Sequence, residues 1–247
     1  MVDRIESETH SRVLALLTRG QADQDSLAER LSPDERAARG ELHAWSAKDN
    51  VAHNNFWRHD AVRRLQAALD STVPPDTESQ TLVLNDRVFQ EQREIPWEEL
   101  VRETARLRAE TAALMQRLTA DDLSQRDRYR WQRGGSLEGL IFVNWYDHPA
   151  EHWADIYLSR DELDRALELR QAVVATVGEL FAHDPKLYSY MVYKLGGMYA
   201  RNGRSDQAIG AIREALVANP SLVEWVQKDT DLEPLRALPA FPALPEN

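Results

Sequence analysis

The chain has 247 residues, room for one large or two modest domains, and a formal net charge of −11 that argues against a nucleic-acid or anionic-membrane partner. It contains no cysteine, which excludes disulfides, thiolate ligands and a cysteine nucleophile, so a metal must be held by His, Asp, Glu or backbone oxygen. Scarce glycine and abundant Leu, Ala, Glu and Arg point to helices. The first residues lack the apolar core of a signal peptide and no apolar run nears the ~20 residues of a membrane span, so an all-α, cytoplasmic protein is expected.

Ile5, Val13, Leu16, Leu17, Leu27 and Leu31 recur at helical spacing and predict a long first helix. Ser32-Pro33-Asp34-Glu35 caps a short second one. Ser46 with Asp49 three residues on makes a capping-box start for a helix through Val51, Phe56, Leu65 and Leu69, which Val73-Pro74-Pro75 ends. A short helical piece lies around Leu84 to Gln92. Pro96-Trp97-Glu98-Glu99 then opens a helix through Leu100, Leu107, Leu114 and Leu118. The stretch from Ala120 to Gly135 reads as a charged loop, its arginines at 126, 128, 130 and 133 either balancing Asp121, Asp122 and Asp127 or, with Tyr129 and Trp131, meeting an anionic or aromatic ligand, the first being favoured. Ser136 caps a helix with Leu137, Leu140, Ile141, Trp145, His148, His152 and Ile156 on one side. Residues 1–158 thus predict an up-down four-helix bundle with a long second crossover.

Ser159-Arg160-Asp161-Glu162 reads as another capping box and marks a domain junction. Within 159–247, Leu195, Gly196, Tyr199, Gly203, Ala208, Ile212, Ala215 and Pro220 occupy the positions of a tetratricopeptide repeat, with Val192 departing from the usual Trp. Leu167 to Pro185 fits the second helix of a degenerate preceding repeat, and the end of the chain fits a final helix with a proline-rich cap. So few repeats cannot stand alone and are expected to lean on the bundle.

The chemistry concentrates in Tyr146-Asp147-His148-Pro149-Ala150-Glu151-His152-Trp153. His148 and His152 lie one helical turn apart, suiting either a shared metal or two hydrogen-bonded core histidines. Pro149 between them demands either a kink or a fresh helix with Asp147 as its cap and Pro149 in its first turn. The same residues spell H-x-x-E-H, the inverted-zincin peptidase motif with Glu151 as base, but the chain shows no strand-like run to match such enzymes. His53 is the other histidine embedded in an amphipathic helix, on a face with Asp49, Phe56, Trp57 and Asp60. His10 is near the terminus, His43 precedes the cap, and His59 falls off that face. Three imidazoles from two helices would leave coordination positions open. Trp57 and Trp145 share faces with the proposed ligands and would wall a pocket.

Trp45-Ser46 followed by a helical stretch to Arg58 that carries His53, and the later His148-x-x-x-His152, resemble the DinB/YfiT superfamily of four-helix-bundle metalloenzymes. Residues 84 to 123 are similar to its ClbS/DfsB branch. The resemblance covers about residues 1 to 160 and implies a divalent metal (zinc, nickel or iron) held by His53, His148 and His152; Pro149 departs from the expected pattern. It also implies hydrolysis of, or thiol transfer to, an electrophilic small molecule, with Glu151 or Asp49 orienting a ligand or substrate. Bundles of this kind often pair, so a homodimer is an expectation. The alternative is a non-catalytic protein in which the bundle is structural and the repeats bind a protein or peptide.

Overall fold

The computed structural model describes residues 2–42, 44–77, 81–238 and 241, with side chains from Glu8 onward; His43 and most of the proline-rich end lie outside the described residues. The fold is all-helical: no strand occurs among the described residues, only an isolated bridge between Glu41 and Ala44. No helix there is long and apolar enough to cross a membrane. The chain divides into two compact units, Met1–Ile156 and Tyr157–Asn247.

In the first unit, α1 (Val2–Arg30) buries Val13, Leu16, Leu17 and Leu27, the stripe its spacing predicts. Ser32 and Glu35 exchange both capping-box bonds at α2 (Pro33–Ala37). The helix α3 (Ala47–Asp70) starts on the Ser46–Asp49 box and ends at Ser71, whose φ of 55° lets the Thr72 N–H turn back to the Ala67 carbonyl. Next come α4 (Thr81–Gln92) and α5 (Trp97–Met115), the latter opening on Pro96 with Glu98 and Glu99 in its first turn. The stretch expected as a loop is partly helical. Thr119 and Asp122 form a capping box on α6 (Ala120–Ser124), and a 3-10 turn covers Arg130–Gln132. Its charges are paired: Arg128 with Asp122 at 2.7 Å and Arg133 with Asp76 at 2.7 Å.

The fourth long helix of the bundle-like first part is built in three pieces, α7 (Leu137–Phe142), a π-helical turn (Val143–Asp147) and α8 (His148–Ser159). One apolar cluster joins α1, α3, α5 and this helix through Val13, Leu17, Leu65, Leu107, Met115 and Trp145. His10 adds a polar tie, its Nε2 3.2 Å from the Met115 carbonyl and 3.0 Å from that of Leu118 at the end of α5.

The residues expected to cap a new helix at Ser159 instead close α8. Asp161 sits at φ 59°, its N–H donates to the Leu158 carbonyl, and the Glu162 N–H donates to that of Tyr157. That is a Schellman turn, and its backbone bonds take the place of a serine cap. The helices α9 (Leu163–Leu180), α10 (Pro185–Arg201), α11 (Ser205–Ala218) and α12 (Val223–Lys228) follow. Gly203, at φ 73°, closes α10 by the same pair of bonds. The helices α10 and α11 pack closely because Gly196 has no side chain: a Cβ there would lie 2.7 Å from Ile212 Cδ1. Ala208, Ile212 and Ala215 fill the contact without exposure.

Candidate metal centre

The site rests on two helix starts. On α3 the Asp49 carboxylate is committed to the cap: its Oδ2 accepts from the Gly40 N–H, the Ser46 N–H and the Ser46 hydroxyl, all at 2.7–2.9 Å. This fixes the first turn and so the direction of His53, one turn further on and 3% exposed. From the other side, the π turn delivers His148 at the first position of α8, and His152 follows four residues later on the same face. Pro149 therefore does not follow an extended Asp147 cap. The helix stays continuous by widening for one turn, and the His148 N–H donates to the carbonyl of Val143, five residues back.

The three imidazoles converge. His148 Nε2 lies 3.4 Å from His53 Nε2 and 3.0 Å from His152 Nε2, and the ligand atoms of all three lie within 4.8 Å of one another. Nitrogens ~2.0–2.1 Å from one tetrahedral ion stand about 3.4 Å apart, so the spacing fits a shared divalent metal. Charge fits too. Burial first, then the imidazoles of His152 and His148, hold His53 down at about 2. Burial and then His148 hold His152 at about 3, with Glu151 pulling the other way. Neutral rings keep the lone pairs a metal needs. His53 Nδ1 and Asp49 Oδ1 are both buried without a partner, a donor position and an acceptor one helical turn apart. His148 and His152 are only part-buried, which leaves the cluster approachable.

No family model matches the chain, and no curated protein matches it. Among solved structures, a crystal structure of an uncharacterised protein from Escherichia coli UTI89 is similar to it, with a TM-score of 0.50 and 18% identity over 65% of this chain and 94% of that one. At that identity the likeness concerns the fold alone.

Of the other residues singled out from the sequence, Trp57 stands edge-to-face with His53, their centroids 6.3 Å apart. Trp145 is 1% exposed in the apolar cluster, with the Arg58 guanidinium 4.6 Å from its ring centroid. Glu151 is part-buried beside His152. His59 faces away and pairs with Glu103 at 2.5 Å. Two aromatic neighbours escaped the sequence reading as site residues. Trp45 lies 4.7 Å from His53 and 6.2 Å from His152, centroid to centroid, and Phe89 of α4 stacks on Trp45 at 6.3 Å and 7°. The signal for Trp45 was its place directly before the cap of the helix that carries His53. For Phe89 there was only the buried stripe Leu84, Val88 and Phe89.

Proposed function

We propose that the chain is a DinB-like metal-dependent enzyme, a hydrolase or thiol-dependent transferase that acts on an electrophilic small molecule. The observation that carries this reading is the convergence of three imidazoles from two helices on one point. His53, His148 and His152 would hold a divalent ion, leaving coordination positions for substrate. Bound there, such an ion supplies Lewis acidity to a water, thiol or carbonyl group brought beside it.

The remaining work falls to the chain itself. Asp49 is an orienting group rather than a proton carrier, because Oδ2 is spent on the cap and only Oδ1 is left to accept from His53 Nδ1–H. That bond would hold the tautomer whose Nε2 lone pair faces the centre. Glu151, whose charge acts on His152, would orient that ring or a substrate from beside it. Trp45 and Trp57, whose rings lie beside His53, offer an aromatic wall, which favours an apolar substrate.

Metal analysis of untagged protein tests the reading. Near-stoichiometric divalent metal, lost in His53→Ala and His152→Ala with helicity kept, is the expected result. A folded protein that takes up no zinc, nickel, iron or cobalt when these are offered would overturn it. A second reading, a partner-binding role for the helices after Ser159, has one observation in its favour: Trp225 is 53% exposed and meets the edges of Tyr190 and Tyr193. A Trp225→Ala variant with unchanged behaviour in every binding assay would remove that support.

A further inference from the structure

We infer that Pro149 and Gly20 act together as positioning residues for His148, by forcing and then housing the π-helical turn ahead of it. The inference rests on the metal reading for its purpose, though not for its geometry. Proline lacks an N–H, and its ring crowds the carbonyl four residues back, which here belongs to Trp145. The chain answers with the wide turn over Val143–Asp147, in which the bond to the His148 N–H spans five residues.

The displaced Trp145 carbonyl needs space, and α1 provides it. An ideal Cβ on Gly20 would stand 1.8 Å from the Trp145 oxygen and 3.0 Å from its carbonyl carbon, both backbone atoms that cannot swing aside. Glycine is disfavoured inside a helix, yet Gly20 sits deep within the 29-residue α1. It is the residue type that lets the two backbones meet. The side chain of Trp145 is pinned as well, buried in the apolar cluster under the Arg58 guanidinium. Arg58 is itself 1% exposed and held by Gln24 Oε1 at 3.0 Å and Asn55 Oδ1 at 3.3 Å.

The turn changes where the histidines point. One extra residue in a helical turn rotates the downstream side chains by about 100° relative to the upstream ones. Ile141 and Trp145 therefore face the apolar cluster while His148 and His152 face His53, although a uniform helix would put all four on one side. A turn relaxed to ordinary α geometry gives up one of those two arrangements.

A double-mutant cycle on the full chain decides the matter. In the metal-free protein, Gly20→Ala should shift the unfolding equilibrium at least tenfold more in the wild-type background than in the Pro149→Ala background, where the carbonyl need not protrude. Additive effects would overturn the inference. Cobalt(II) titration should show each single variant binding at least tenfold more weakly than wild type, with a changed ligand-field spectrum; wild-type affinity and spectrum in both would also overturn it. If Gly20→Ala does not fold, Pro149→Ala alone carries the test. Its ring contact between His53 and His148, followed by NMR without metal, should be lost, and its persistence counts against the inference. A wild-type protein that binds no cobalt defeats the metal reading, while the cycle still reports on Gly20 and Pro149.

Discussion

Asp23 on α1 carries a buried carboxylate oxygen, Oδ2, without a partner. Burial pushes its carboxyl up to about 6, with Arg19 partly offsetting the shift. Between pH ~4 and ~6 the folded chain holds a proton there that the unfolded chain has released, so stability falls as pH rises across that window and stays lowered above it. Asp23→Asn should therefore raise stability at pH 7.5 by about 1–3 kcal/mol and make little difference near pH 4, measured by urea unfolding at both pH values. At this scale the histidines were legible because a polar ring at helical spacing on an apolar stripe stands out. Trp45 and Phe89 were not, since their stacking joins residues 44 apart, and a pairing across elements leaves no local period. Trp145 shares the histidines' face only on a uniform helix, and the wide turn removes that condition.

Among the elements, starts were easier to read than ends. The boxes at Ser32 and Ser46 combine a side chain and a backbone bond at fixed spacing, and both form. Ser159 to Glu162 carries the same letters but closes α8 through Asp161 in the left-handed region, because backbone bonds to Tyr157 and Leu158 are available there. The π turn was hidden for a similar reason: Pro149 announces a disturbance without saying which form it takes. Two glycines give a contrast that can be measured. Gly196→Val would press a branched side chain into Ile212 and should cost about 1–3 kcal/mol. Gly210, exposed on α11 with nothing within 4 Å of its Cβ position, should gain up to about 1 kcal/mol on substitution by alanine. Denaturant titrations of the two variants should move in opposite directions.

For the whole molecule, the all-helical class followed from composition and period alone, while membership of a family stays a proposal resting on short motifs. The three histidines and the apolar cluster through Val13, Leu65, Leu107 and Trp145 all lie within Met1–Ile156. A chain ending at Glu162, which keeps the closing turn of α8, should therefore take up metal with the stoichiometry of the full chain and unfold cooperatively. Retained helicity with no uptake would show that the later residues are needed for the centre.

The widened turn before His148 also has a meaning for comparison across related proteins. A five-residue bond span is a one-residue insertion absorbed without breaking the helix. Homologues that keep the histidine pair on an unwidened helix should show a single-residue gap between the positions of Val143 and Asp147, no proline after the first histidine, and a larger residue opposite in place of Gly20. Those three differences should appear and vanish together.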